Sequence, residues 1–131
     1  MQVLVDSSVW IDFINNVEND QTNILTDLFV NESYVCICPA ILQEVLQGIK
    51  EDKDFNRVKK DLGTFDVLQV DALEAAHEAV NIYRKLRKKG VTIRRSNDCL
   101  IAYYAIFHKA RILHKDRDFT KIAEHTDLQL F

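Results

Sequence analysis

The stretch QVLVDSSVWID, residues 2–12, decides how the fold begins. Residues 2–5 are short, apolar and partly β-branched, which predicts a buried strand. The strand ends at Asp6, two serines come next, and an amphipathic helix is expected to start near Val9. Either serine is a suitable cap for that helix, and Ser7 is the simpler candidate. Whether Asp6 is more than a helix cap depends on the other acids that meet it.

The rest of the chain alternates short apolar strands with helices. Such alternation is typical of an α/β fold in which helices cover both faces of a mostly parallel sheet, here of four to five strands. Further strands are predicted at 34–38, 66–70, 111–114 and 128–131, and further helices at 20–31, 39–49, 52–62, 71–89, 97–109 and from about 118.

Composition indicates one domain over residues 1–131, with 47% hydrophobic and 28% charged residues. The longest apolar run, 99–107, is too short to span a bilayer, and the first residues lack the basic and apolar regions of a secretory signal. The three cysteines include a Cys36-x-Cys38 pair without a second pair, which is not a zinc pattern. We therefore expect a cytoplasmic protein with reduced thiols and no membrane association.

The cations are unevenly distributed, although the net charge of −3 does not itself indicate a nucleic-acid-binding protein. Residues 79–97 contain no acid but seven bases: Arg84, Lys85, Arg87, Lys88, Lys89, Arg94 and Arg95. This cluster favours a local anion-binding surface. The alternative is a solvated helix end whose cations complement the helix dipole, which explains residues 87–89 but not the two arginines beyond Gly90.

Four acids are predicted to meet at one edge of the sheet. Asp6 and Asp116 each follow a strand, Asp98 begins a buried helix, and Glu44 lies about one and a half turns into the helix after strand 34–38. Ligand sites of such sheets lie at the carboxyl ends of the strands. Clustered carboxylates repel one another unless a cation neutralises them, and oxygen ligands favour Mg²⁺ or Mn²⁺. Such an ion activates water and stabilises a phosphoryl oxygen, so phosphodiester hydrolysis is the predicted chemistry.

Each acid also has a simpler interpretation. Asp6 is a possible N-cap, Asp98 a complement to a helix dipole, and Asp116 the start of a turn. Glu44 is the hardest to explain otherwise, because a mid-helix acid flanked by apolar residues requires a partner. Asp118 either binds metal beside Asp116 or caps the next helix, and we favour a supporting role.

The chain resembles the PIN domain family, specifically VapC-type toxin ribonucleases. The resemblance spans the chain and is carried by VLVDSSVWIDF, CPAILQEVLQGI, GVTIRRSNDCLIAYYAIFHKA and RILHKDRDF. It implies a three-layer α/β/α fold and a Mg²⁺- or Mn²⁺-dependent endoribonuclease. The family's acidic quartet falls on Asp6, Glu44, Asp98 and Asp116, and its supporting hydroxyl falls on Ser8. Similar toxins cut tRNA or ribosomal RNA, form homodimers and are inhibited by a cognate antitoxin.

Two positions depart from the family pattern. His114 stands where relatives often carry Thr or Ser, and Cys38 replaces the serine that commonly precedes the proline of the glutamate helix. Cys38 is a weaker cap than serine, and neither change removes an acid. Asp12 is expected to be a solvated surface residue.

The resulting hypothesis is metal-dependent hydrolysis of structured RNA, with four cations as candidates for holding its backbone: Arg84, Lys88, Arg94 and Arg95. One alternative is a PIN-like module that binds RNA or protein without catalysis. The other is a phospho-acceptor signalling domain. That class requires a pair of neighbouring acids after the first strand, whereas Asp6 is followed by two serines.

Overall fold

A computed structural model describes all of residues 1–131 and contains one five-stranded sheet. All four strand pairings are parallel, and the strand order is β3-β2-β1-β4-β5. The fold is the expected three-layer α/β/α arrangement. The strands are β1 Gln2–Val5, β2 Tyr34–Ile37, β3 Asp66–Val67, β4 Arg111–Leu113 and β5 Gln129–Leu130.

Seven helices connect the strands and form two groups. Because parallel crossovers are right-handed, α1 to α4 cover one face of the sheet, and α5 to α7 cover the other after the chain crosses back to β4. Most helix contacts follow this grouping: α1 packs on α2 and α3, and α6 packs on α5 and α7. The exception is a contact between α3 and α6, the helices that carry Glu44 and Asp98. The helices are α1 Ser7–Ile14, α2 Asp20–Val30, α3 Pro39–Gln47, α4 Asp52–Leu62, α5 Ala72–Lys88, α6 Ser96–His108 and α7 Arg117–His125.

The central strand β1 is buried and fixes the position of the next residue, Asp6. Leu4 pairs with Cys36 of β2 on one side and with Ile112 of β4 on the other. All three residues from Val3 to Val5 are buried. Because β1 is bonded on both sides, the backbone at its carboxyl end has little freedom to move.

The cysteines are free and buried, as the composition suggested. Burial raises the pKa of Cys36 to about 12 and the pKa values of Cys38 and Cys99 to about 11. The thiols therefore stay protonated at neutral pH, as is usual for buried structural cysteines. No helix combines the length and apolar character needed to cross a membrane.

Two helix starts differ from the prediction. Helix α1 begins at Ser7 and its N-cap is Asp6, so neither serine caps it. Helix α7 begins at Arg117 and is capped by Asp116, so Asp118 is not its cap. In both cases an aspartate competes successfully for the cap position because its carboxylate accepts the backbone N–H of the second residue beyond it.

Candidate active site

The acids lie where the strand order reverses. From β1 the chain proceeds to β2, whereas from β4 it proceeds the opposite way to β5. Ligands of open α/β sheets bind at such a switch point, outside the carboxyl ends of the strands. Asp6 follows β1 and Asp116 follows the loop after β4, so both N-capped helices begin at this point.

Asp6 is held by the serine that the sequence had assigned a supporting role. Its Oδ2 accepts the hydroxyl of Ser8 at 2.6 Å and the backbone N–H of the same residue at 3.2 Å. Asp6 is buried. The Asp6 carboxylate thus caps α1 and also lies at the candidate site.

Glu44 has a partner that sequence reasoning missed. The Ser7 hydroxyl donates to Glu44 Oε1 at 2.9 Å, which links α1 to α3. Ser7 is buried and its side chain points away from the helix cap. The sequence clue was that an acid between Leu42 and Val45 needed a partner, but no pattern identified Ser7 as the donor.

Asp98 lies among these acids, and one of its carboxylate oxygens has no hydrogen-bond partner. It is 2% exposed, and its buried Oδ2 has no donor. Burial, reinforced by the negative charges of Asp6 and Asp116, raises the pKa of Asp98 to about 7. An ionised carboxylate in such surroundings is unfavourable unless a cation compensates for it.

Asp98, Asp116 and Asp118 form the tightest group of acids. One carboxylate oxygen from each lies within 4.8 Å of the others. Asp118 is 1% exposed, and its Oδ2 accepts the backbone N–H of Arg94 at 3.0 Å. Together with the unpaired oxygen of Asp98, this all-oxygen donor set fits a hard divalent cation. We expected Asp118 only to support the metal ligands, yet its carboxylate lies in the same close group as those of Asp98 and Asp116.

Two of the predicted RNA-binding cations contact the acids directly. Arg94 Nη2 lies 3.5 Å from Asp116 Oδ1, and its Nε lies 3.8 Å from Asp118 Oδ2. Arg95 Nη2 donates to Asp116 Oδ2 at 3.2 Å. Arg84 and Lys88 lie exposed on α5 and do not line the groove that contains these arginines. Their contact with RNA stays a prediction.

The loop between β4 and α7 is held by one internal hydrogen bond and by one ion pair to α1. His114 Nδ1–H donates to the carbonyl of Asp116 at 2.9 Å, and burial lowers the pKa of His114, which favours the neutral ring. Lys115 forms an ion pair with Asp12, which also accepts Asn19 Nδ2 at 2.9 Å. The expectation that Asp12 is merely solvated is therefore wrong: it ties α1 to this loop.

Cys38 is the N-cap of α3 and makes no side-chain capping bond, in agreement with the weaker cap expected there. Pro39 compensates in part, because a proline in the first turn fits the helix without a missing hydrogen bond. Glu44 is consequently positioned by Ser7 and by packing rather than by a strong cap.

Comparison with known proteins assigns this arrangement to a family. The family model described as PIN domain matches residues 3–125. The chain is 34% identical to VapC ribonuclease Mb1587 of Mycobacterium bovis and to ribonuclease VapC11 of Mycobacterium tuberculosis, over 97% of this chain and 96% of each relative. The chain therefore belongs to the PIN domain family, in which these relatives are VapC ribonucleases.

Solved structures show the same fold at lower identity. The structure of VapBC2 from Rickettsia felis bound to a DNA fragment from its promoter matches with a TM-score of 0.76 and 22% identity, over 100% of this chain and 98% of that one. VapBC-1 from nontypeable Haemophilus influenzae matches with a TM-score of 0.75 and 20% identity, over 100% and 97% of the two chains.

Proposed function

We propose that this protein is a Mg²⁺- or Mn²⁺-dependent endoribonuclease that hydrolyses phosphodiester bonds in structured RNA, either tRNA or ribosomal RNA. We further propose that residues 1–131 form a single PIN domain that acts as the toxin of a toxin–antitoxin pair in the cytoplasm. One observation carries the proposal: a buried, unpaired carboxylate oxygen of Asp98 lies among further acids in a chain related to VapC ribonucleases.

We assign Asp6, Glu44, Asp98 and Asp116 as the metal-holding catalytic residues, with Asp118 as an additional ligand. Their oxygen-only donor set favours Mg²⁺ or Mn²⁺ over zinc. When bound, such an ion lowers the pKa of a coordinated water and stabilises charge on a phosphoryl oxygen. The burial of Asp98 supports this assignment, because a cation removes the cost that burial imposes on its ionised form.

The remaining groups of the site position the acids and the substrate. Ser8 and Ser7 fix the orientations of Asp6 and Glu44 through their hydroxyls. Arg94 and Arg95 lie beside Asp116 with largely exposed side chains, so they are able to contact a phosphate that enters the site. The acids thus hold the reactive centre while these arginines hold the RNA backbone.

The direct test is incubation of the purified protein with total RNA in the presence of Mg²⁺, Mn²⁺ or a chelator, followed by sequencing of the new RNA ends. We expect cleavage at discrete positions that requires the metal and is lost in Asp6→Ala. Binding of RNA without cleavage would favour the non-catalytic alternative. A stable aspartyl phosphate after incubation with a small phosphodonor would favour the signalling alternative.

The proposed partner is a cognate antitoxin protein, as the related VapBC structures suggest. We also propose a homodimer. Exposed apolar side chains on α5 and α6 support it, since Leu73, Val80 and Phe107 are 68%, 54% and 51% exposed. Leu73 and Val80 are seven residues apart on α5 and so share a helix face. Sedimentation of the purified protein should show a dimer that Val80→Glu dissociates.

A further inference from the structure

A polar groove of about 560 Å³ opens beside the acids, and none of its eight lining residues is hydrophobic. Ser8, Asp116 and Asp118 connect it to the proposed catalytic centre. The other five lining residues are cations, contributed by the loop before α6, the loop after β4, and α7: Arg94, Arg95, Lys115, Arg117 and Lys121.

Four of these five cations already have a carboxylate partner. Arg94 and Arg95 are paired with Asp116. Lys121 lies 3.6 Å from Asp118, and Lys115 is paired with Asp12. Their positive charge is partly neutralised within the protein, so each must weaken an existing ion pair before it binds a substrate anion in full.

Arg117 is the exception. It is the first residue of α7, its side chain is exposed, and it forms no ion pair or side-chain hydrogen bond. Its neighbours in sequence, Asp116 and Asp118, both turn towards the site. A guanidinium with no internal partner, beside a helix N-terminus, is well suited to bind a phosphate with two parallel hydrogen bonds.

The composition of the groove also limits what it can recognise. The aromatic side chains on which successive bases usually stack are absent from the groove. Cations and hydroxyls instead contact phosphates and sugars, which carry no sequence information of their own. The ligand that fits is therefore the backbone of a polynucleotide strand.

We infer that Arg117 is a substrate-binding residue that holds a backbone phosphate next to the scissile one, so that the RNA strand crosses the β4–α7 side of the site. This inference rests on the proposed function. It adds a residue that sequence reasoning did not select, and it directs the strand away from α5, where Arg84 and Lys88 lie.

The test measures how RNA affinity depends on salt. Binding of labelled bulk tRNA is titrated at several KCl concentrations in an Asp98→Asn background, which prevents cleavage. The matched control is Arg111→Gln, because Arg111 begins β4 and therefore lies at the opposite edge of the sheet. Circular dichroism melting of each variant checks that the fold is retained.

We expect Arg117→Gln to weaken binding and to lower the slope of log K against log[salt] by about 0.7–0.9, the value for one lost phosphate contact. Arg117→Lys should keep the slope, since it keeps the charge, and Arg111→Gln should match the parent. An Arg117→Gln slope equal to that of Arg111→Gln would overturn the inference. A lowered slope in Lys88→Gln alone would also overturn it and direct the strand along α5.

A parallel cleavage assay on the otherwise unmodified protein separates the two proposals. If that protein cleaves RNA while Arg117→Gln binds normally, the inference fails and the proposed function stands. If it cleaves no RNA with either metal but the salt slope still depends on Arg117, the proposed catalysis fails and the backbone-binding groove stands. If neither cleavage nor Arg117-dependent binding occurs, both are overturned.

Discussion

The site has two halves that hold their carboxylates by different means. In the hydroxyl half, Ser8 donates to Asp6 and Ser7 donates to Glu44. In the cationic half, Asp116 and Asp118 are paired with the cations Arg94, Arg95 and Lys121. Asp98 lies near both halves, and one of its oxygens has no donor at all.

The two kinds of partner have opposite electrostatic consequences. A serine hydroxyl orients a carboxylate without bringing a compensating positive charge to Asp6 or Glu44. An arginine both orients and neutralises, so Asp116 offers less charge while it remains paired. The hydroxyl half and Asp98 should therefore determine the affinity of the proposed metal site. The cationic half should link that site to the polar groove.

The largest expected effect comes from removing the charge at Asp98. Because Asp98→Asn keeps the shape but loses a proposed ligand, cleavage should fall by more than about 100-fold, beyond the usual effect of changing a residue that only supports a ligand. Initial rates of RNA cleavage in saturating Mg²⁺ measure this, with Asp61→Asn, an exposed acid on α4, as the matched control. Normal cleavage by the purified Asp98→Asn protein would remove Asp98 from the site.

Measurements of Mn²⁺ affinity distinguish the roles of the two halves. Loss of either hydroxyl, in Ser7→Ala or Ser8→Ala, should weaken Mn²⁺ binding by about 10–100-fold, since each orients a proposed ligand. Arg95→Gln should leave Mn²⁺ binding unchanged or tighter, because it frees Asp116. Calorimetric titration gives both numbers, and Ser33→Ala, before β2, is the control for loss of a serine. Equal weakening in the serine and arginine variants would contradict the division into halves.

The sequence alone predicted the parallel fold, because it follows from periodicity and strand ends. Of the four acids predicted to meet, Asp98 and Asp116 lie together, and the third carboxylate within 4.8 Å of theirs belongs to Asp118 rather than to Asp6 or Glu44. Strand tips such as Asp6 and helix starts such as Asp98 are fixed by local pattern, and the sheet then brings them together. The identity of the metal-holding residues remains a prediction, since geometry shows proximity and not chemistry.

The partners of the acids were not predictable, because they depend on side-chain direction between elements distant in sequence. Ser7 was expected to cap α1, yet Asp6 takes the cap and frees the Ser7 hydroxyl to reach Glu44, 37 residues away. Asp12 was expected to face solvent, yet it meets Lys115, 103 residues away. Neither pairing leaves a periodic signal in the sequence.

The raised pKa of Asp98 predicts an unusual pH dependence of stability in the metal-free protein. Its folded pKa of about 7 lies above the ordinary value of about 3.9, so its contribution to stability is greatest below about pH 4 and is lost as the pH rises through 7. Asp98→Asn cannot ionise. Its melting temperature, relative to that of the unmodified protein, should therefore rise by roughly 10 °C between pH 5 and pH 8.

Thermal melts in chelator at several pH values measure this difference, and other titrating groups cancel in the comparison. Saturating Mn²⁺ should abolish the trend in the unmodified protein, because the cation offsets the repulsion among the acids. A difference that stays constant with pH would show that neither burial nor the neighbouring acids raise the pKa of Asp98.

The smallest expected effect concerns the tie between α1 and the cationic half. The Lys115 hydrogen bond lowers the pKa of Asp12, and the pair joins the helix of the hydroxyl half to the loop that carries Asp116. Because the pair is partly exposed, its coupling free energy should be only about 0.2–1 kcal/mol. A double-mutant cycle of Asp12→Asn and Lys115→Met, read out by urea unfolding, measures it.

If the pair also aligns the two halves, each single variant should weaken Mn²⁺ binding. The charge swap that combines Asp12→Lys with Lys115→Asp should then restore part of that binding. Full Mn²⁺ affinity in both single variants would mean that the halves are aligned by the sheet alone, through β1 and β4.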